Sequence, residues 1–568
     1  MNEQFDAVII GSGFGGSVMA YRLAGAGFKV CILERGKVYP PGSFPRSPHE
    51  MKNNFWDPSE GLYGMYNVWS FRGIGALVSS GLGGGSLIYG NILIRKDEKW
   101  FVKEDINNDG YEYWPVTRKD LDPHYDQVEE ILNAQRYPFE HEPYNNTPKT
   151  KEFKAAAEEL GLEFYHPKQS ITFKNKGKDP VPGEPICGGE QNIHNKMRFT
   201  CRLCGECNFG CNFGSKNTLD YNYLTMAEKN GAVIRSLCEV KGFKPNDKKG
   251  YEVNYIEHNT EITSNSNNNL QKLNKISCTF LIVSAGTLGS TFLMLKNSKS
   301  FSKISSKLGS RFSGNGDILG IALNSRKESS NGDSNLREIN PGYGPVITST
   351  VRVKDALDGG TGRGYYIQDG GYPEFINWMI QGIESPTQAS SFIKFLKLYI
   401  YGLLGINKDS DISTEITQLL AGSEKIYTSL PLLGMGRDIP DGIMKLRDQN
   451  HLDIDWNMKT SKEFFNDVRG TMKEVAYKFN ADFMDNPLWY LRRGITVHPL
   501  GGCPMGRNEK EGVVDSNGEV FNYPGLYISD GSIMPGPVGP NPSLTIAALS
   551  NRFADNIISK HKNQLRQN

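Results

Sequence analysis

The stretch F-D-A-V-I-I-G-S-G-F-G-G-S-V-M-A-Y-R-L-A-G-A-G-F-K-V-C-I-L-E-R-G, Phe5 to Gly36, decides the fold class. It reads as an apolar strand, a glycine turn, a helix, a second strand and an acidic residue. Gly11, Gly13 and Gly16 satisfy G-x-G-x-x-G. The first allows a tight turn, the second lets the backbone approach a pyrophosphate, and the third lets helix and strand pack closely, while the helix N-terminus offers N–H groups to the phosphates. Glu34 closes the second strand at the distance where a carboxylate accepts hydrogen bonds from a ribose. A glycine triplet alone is a weak signal. With this context on both sides it predicts an α/β, Rossmann-type dinucleotide-binding unit.

At 568 residues, roughly two to four structural units are expected from about 150 residues per domain. Hydrophobic residues make up 38% and the formal net charge is +1, which gives no support to nucleic acid, an anionic surface or an acidic substrate as partner. Phe5 to Ile10 is short, lacks a basic lead-in and runs straight into the glycine turn, so it is a buried strand and not a signal peptide. No uninterrupted apolar stretch of about 20 residues occurs; the nearest, Phe392 to Gly405, is broken by Lys394 and Lys397. A cytoplasmic protein with no transmembrane segment is the expectation.

Four of the nine cysteines, Cys201, Cys204, Cys207 and Cys211, lie in C-R-L-C-G-E-C-N-F-G-C, spaced C-x2-C-x2-C-x3-C. Thiolates on such a glycine-containing turn can wrap a [4Fe-4S] cubane, and the run matches bacterial ferredoxins except that Asn212 replaces the usual following proline. Three occupancies stay open: a cluster with Cys187 as reserve ligand, zinc on the same sulfurs, or free thiols.

Further motifs are S-S-G-L-G-G-G-S-L-I-Y-G-N (Ser79 to Asn91), the strand-to-turn V-S-A-G-T-L-G-S around Ala285 and Gly286, H-P-L-G-G at His498, and N-P-S-L-T-I-A-A-L at Asn541. Taken in this order with the N-terminal G-S-G-F-G-G-S, they resemble the glucose–methanol–choline oxidoreductase family, and its cholesterol-oxidase-like bacterial branch above all. The resemblance runs from end to end.

That resemblance implies a discontinuous FAD domain (1–100, 196–310 and 490–568) and an inserted substrate domain (101–195 and 311–489) built on a large mixed sheet with covering helices. It places Gly11, Gly13 and Gly16 at the pyrophosphate and Glu34 at the adenosine ribose. Gly84, Gly85, Tyr89 and Gly90 would lie along the flavin, Val240 near the adenine, Ala285 and Gly286 at the cofactor, and Asp530 and Gly531 near the flavin ring or ribityl chain. Tyr89 departs from the asparagine common in relatives. No histidine lies between Gly81 and Asn91, so non-covalent FAD is expected.

Oxidising an alcohol requires removal of the hydroxyl proton and passage of a hydride from the same carbon to flavin, so the protein supplies a base, an orienting hydrogen bond and a dry pocket. His498 suits the base, since an unperturbed imidazole titrates near about 6.5. Asn541 donates and accepts at once, as holding a substrate oxygen requires; its other reading is a helix cap ahead of Pro542. Sterol-oxidising relatives often add a carboxylate from the substrate domain, for which Glu374 is the candidate.

The resemblance implies a sterol-like or other hydrophobic alcohol as substrate, with dioxygen, an electron-acceptor protein or a quinone as oxidant. The apolar segments Phe392 to Gly405 and Ser429 to Gly436 read as a lid or mouth, or as buried helix, and leave transient membrane contact open. Residues 145–195 read as surface connections, and Thr263 to Lys272 as a hairpin loop. Two alternatives stand beside the alcohol oxidoreductase: a redox-sensing or electron-transfer flavoprotein centred on Cys201 to Cys211, and a lyase with structural FAD.

Overall fold

The computed structural model describes residues 3–47, 50–51, 53–105, 110–259, 272–328, 334–373 and 427–567. Phe5 to Ile10 falls within the strand Glu3–Ile10, followed by the helix Phe14–Gly25 and the strand Val30–Leu33, whose four residues are all buried. Unbroken burial along a strand is the mark of a parallel sheet covered on both faces. The sheet runs, in spatial order, Val233–Arg235, Val30–Leu33, Glu3–Ile10, Asn274–Val283, Tyr251–Glu257 and Cys238–Pro245, with Leu526–Ile528 also pairing with Asn274–Val283.

Register decides where the site forms. Ile10 lies opposite Leu33 on one side and Val283 on the other, and Val283 lies opposite Ile528. These parallel strands therefore end level, and Gly11, Glu34, Ser284 and Ser529 emerge together at the carboxyl edge, where open α/β sheets bind their ligands. The hairpin Tyr251–Glu257 to Asn274–Val283 is antiparallel, as its sequence predicts.

A second sheet has the order Glu163–Tyr165, Thr350–Val353, Tyr365–Asp369, Leu430–Gly436, Ile318–Leu323, Asp482–Asp485. Among the described residues every pairing in it is antiparallel, where the family resemblance implied a mixed sheet. The helix Lys462–Lys478 covers it with Phe464, Val468, Met472 and Val475, an apolar stripe at helical spacing.

The Ser429 to Gly436 segment is neither lid nor helix. Leu430–Gly436 is an inner strand of this sheet, held between Tyr365–Asp369 and Ile318–Leu323, and its Leu430 and Leu432 bury into the core. Residues 145–195 are likewise more than surface connection. They supply the helix Pro148–Glu159, with Phe153 in the core, and the edge strand Glu163–Tyr165. Glu374, the Phe392 to Gly405 segment and residues 260–271 lie outside the described residues.

Candidate active site

Three glycine turns converge at the carboxyl edge of the first sheet. Gly11 adopts φ +94°, and a Cβ there would sit 2.3 Å from the Ser284 carbonyl, so only glycine lets the first turn abut Ser284 and Ala285. A Cβ on Gly84 would come within 2.7 Å of the Gly13 Cα, which brings the second glycine loop against the first. Gly13, Gly85 and Gly286, by contrast, each face open space, with no atom within 4 Å of an added Cβ. No side chain caps the helix Phe14–Gly25 that starts at Gly13. Beside these turns the amide of Asn91 and the hydroxyl of Ser543 are buried without hydrogen-bond partners among the described residues. Open space before glycines and orphaned buried polar groups fit a nucleotide cofactor of FAD's chemistry.

Glu34 is more constrained than its sequence position implies. Its carboxylate accepts from Ser12 N at 3.0 Å, Ser12 Oγ at 2.6 Å and Gly36 N at 2.8 Å, so it ties the first glycine turn to the end of the second strand. A carboxylate has about four acceptor positions, which leaves one for a ribose. Val240 lies in the adjoining strand, whose first residue, Cys238, donates its N–H to the Glu34 carbonyl. Tyr89 packs edge-on against Phe14 at 5.3 Å, under the Lys216 ammonium, and Gly90 sits against Ile347.

Asp530 accepts from Ser290 Oγ and from the N and Oγ of Ser532, fastening the Gly286 helix to its own turn; burial holds this carboxyl above the usual range. Gly531 has no open side, since an added Cβ would meet Thr287 Oγ1 at 2.6 Å.

His498 is joined to this cradle directly. Thr287 Oγ1 donates to the Pro499 carbonyl at 2.6 Å, and Gly501 N donates to the Gly531 carbonyl at 3.0 Å. The imidazole Nδ1 lies 2.8 Å from Asp317 Oδ1. Asp317 Oδ2 meanwhile accepts from Thr496 Oγ1 at 2.9 Å, Val497 N at 2.8 Å and His498 N at 3.1 Å. An ionised carboxylate only accepts, so in the neutral imidazole Nδ1 carries the proton and Nε2 keeps its lone pair. Among the described residues Nε2 has no hydrogen-bond partner.

Asp317 was not legible as a site residue. It ends the turn S-G-N-G-D, Ser313 to Asp317, and its partner is 181 residues away. A lone acid in a glycine turn is the only local signal, and such turns are common on surfaces.

Asn541 is buried, and its side-chain bonds go to Gln368 in the second sheet: Gln368 Nε2 donates to Asn541 Oδ1 at 2.8 Å, and Asn541 Nδ2 donates back at 3.4 Å. The helix-cap reading loses to this pairing. Each amide retains one N–H and further acceptor capacity for a ligand.

The four cysteines do come together, lining one cavity with Lys216, Arg202 and Glu206. Ile171, Gly344 and Pro345 line it as well. Among the described residues no group of three or more His, Cys, Asp or Glu side chains could hold a metal ion. A [4Fe-4S] or zinc site at Cys201, Cys204, Cys207 and Cys211 is thus not shown, and Cys187 is exposed and does not line the cavity. The turn is closed by protein groups instead: Lys216 Nζ donates to the carbonyls of Cys207, Leu87 and Tyr89. Burial pushes the thiols of Cys201, Cys204 and Cys207 up. The same burial pushes Lys216 down to about 8.

Comparison with known proteins accords with this geometry. A GMC oxidoreductase model matches residues 186–309 and a second matches 440–550, while an NAD(P)-binding Rossmann-like domain model matches 9–42. The chain is 28% identical over 576 residues to a cholesterol oxidase of Acinetobacter baumannii, covering 99% of this chain and 95% of that protein. It is 27% identical over 578 residues to a cholesterol oxidase of Mycobacterium tuberculosis, covering 98% and 91%. A long-chain-alcohol oxidase of Arabidopsis thaliana is 22% identical over 576 residues, covering 98% and 68%. Among solved structures, an FAD-dependent oxidoreductase from Chaetomium thermophilum shares the fold, with a TM-score of 0.57 and 14% identity over 98% of this chain and 100% of that one. With its glycine cradle and its motifs in family order, the chain belongs to the GMC oxidoreductases, as a cholesterol-oxidase-like, FAD-dependent enzyme of alcohol groups.

Proposed function

We propose that this enzyme oxidises the hydroxyl of a hydrophobic, sterol-like or long-chain alcohol to a carbonyl, with His498 as base and dioxygen as final acceptor. The observation that carries the reading is the Asp317–His498 pair at 2.8 Å, which in the neutral imidazole leaves the Nε2 lone pair free. FAD would be held at the open faces of Gly13, Gly85 and Gly286, with Gly11 and Gly84 shaping the turns, and would supply the hydride acceptor. Nε2 takes the hydroxyl proton as the hydride leaves the same carbon, so the alcohol loses two electrons and two hydrogens. Asn541 holds the substrate oxygen through the N–H that Gln368 leaves free. The cholesterol oxidases and the long-chain-alcohol oxidase among its relatives support the substrate class and the acceptor.

In this reading the sheet of Glu3–Ile10 and its neighbours belongs to the FAD domain and the antiparallel sheet to the substrate domain, divided as the family likeness implies. Anaerobic mixing with cholesterol or a long-chain primary alcohol tests the chemistry. Bleaching of the flavin's visible absorbance is expected, lost in His498→Gln with FAD still bound. Near-normal bleaching in that variant would remove His498 from the mechanism. Turnover with the flavin unchanged would instead indicate a lyase.

A further inference from the structure

The turn Ser313 to Asp317 does more than present Asp317. Its central residue, Asn315, is fully buried and adopts a left-handed φ of +55°, which asparagine tolerates better than most side chains. Nδ2 of Asn315 donates to the Gly539 carbonyl at 3.1 Å and to the Pro540 carbonyl at 3.2 Å, while Oδ1 accepts from Gly539 N at 2.9 Å. A Gly-Pro pair offers one N–H and two carbonyls, because proline has no amide hydrogen. Its chemical complement is one acceptor and two donors on one planar group, which is a primary amide. The backbone of the same residue is fixed as well, its carbonyl accepting from Gly436 N at 2.9 Å.

Two residues further on, Asp317 holds His498, and immediately beyond Pro540 stands Asn541. One short turn thus grips both arms of the site, and Asp438 anchors the turn itself through Ser313 Oγ and Gly314 N. We infer that Asn315 is a positioning residue for the oxidation, setting Asn541 at its working distance from His498 by holding Gly539 and Pro540 against the turn that carries Asp317. This rests on the reading above, in which His498 and Asn541 both meet the substrate hydroxyl. Asn315 touches neither the hydroxyl nor the reacting carbon; it acts through Asn541.

Asn315→Asp tests this, since it keeps the shape and the acceptor for Gly539 N but turns an oxygen toward the two carbonyls. Three variants are compared with wild type as FAD-loaded enzymes: Asn315→Asp, Asn541→Ala and the double variant. Each is mixed anaerobically with cholesterol, or with the long-chain alcohol that reduces the wild type. Rate constant and substrate Kd come from the concentration dependence, and hydrogen exchange of the peptide containing Gly539 is followed by mass spectrometry.

For Asn315→Asp the expected result is a flavin-reduction rate lowered about tenfold, with Kd within about threefold and the Gly539 amide still protected. In the Asn541→Ala background the same substitution is expected to change the rate by less than about twofold, because its route to the chemistry is gone. A full tenfold loss persisting in that background, or a wild-type rate in Asn315→Asp, overturns the inference. If Asn541→Ala alone reduces flavin at the wild-type rate, the underlying reading of Asn541 has failed, and the inference falls with it.

Discussion

Replacing Asp317 by asparagine is the sharpest test of the site. In wild type one carboxylate oxygen serves Thr496 Oγ1, Val497 N and His498 N, and the other serves His498 Nδ1 at 2.8 Å. Asparagine offers one acceptor oxygen and one NH2. Three donors face Oδ2 and one faces Oδ1, so the amide oxygen settles on the side of the three and the NH2 turns toward the imidazole. Nδ1 must then accept, which moves the ring proton to Nε2 and removes the lone pair that takes the substrate proton in the proposed mechanism. Asp317→Ala, by contrast, loses the charge-assisted bond but leaves the tautomer free. A bond of that kind contributes about 1.5–3 kcal/mol, or roughly 10- to 150-fold in rate. Asp317→Asn is therefore expected to be at least as slow as Asp317→Ala, roughly 100-fold below wild type, although it is nearly isosteric. Anaerobic stopped-flow reduction of the bound flavin reads the rate, and its concentration dependence reads substrate binding, which should barely move. An asparagine variant within about threefold of wild type would refute the tautomer argument.

The other predictions concern the cradle, the buried acid and the cysteines. Gly13→Val should leave the apoprotein's thermal stability nearly unchanged, since a Cβ there meets nothing within 4 Å, while FAD binding is lost; equal FAD affinity in a titration would show that the pyrophosphate lies elsewhere. Burial pushes Asp438 up to about 7 despite hydrogen bonds from Ser313 and Gly314 and the nearby Arg363, with Glu104 adding to the rise. A raised carboxyl stabilises the fold fully below its unfolded value of about 4, and that contribution is lost as pH rises toward about 7. The Tm of Asp438→Asn relative to wild type should accordingly climb between those pH values, by the equivalent of at most about 4 kcal/mol; a flat difference would contradict the assignment. Cys204→Ser should reduce its flavin at the wild-type rate, and anaerobically purified protein should hold well under one iron per chain; about four irons with matching sulfide would reverse that conclusion.

The Rossmann unit was legible from Phe5 to Gly36 alone, because its determinants are local. Glycine spacing fixes a turn, apolar runs fix the strands beside it, and both act over a few residues. The motifs around Gly286 and Asp530 are local in the same way, and the level strand ends bring them to one edge. The reach of the cysteine spacing stopped at the backbone turn. Lys216, Ile171, Gly344 and Pro345 close the space around the sulfurs, and no spacing rule contains them.

Sequence by itself thus determined the dinucleotide-binding fold and the family, and singled out His498 as a candidate. Tertiary structure alone decided which groups hold that histidine and where Asn541 stands. Asp317 meets His498 across 181 residues, Gln368 meets Asn541 across 173, and Asn315 meets Gly539 across 224. Such partnerships depend on which strands become neighbours and in what register, and that is settled by packing of the whole chain and not by any short stretch of it.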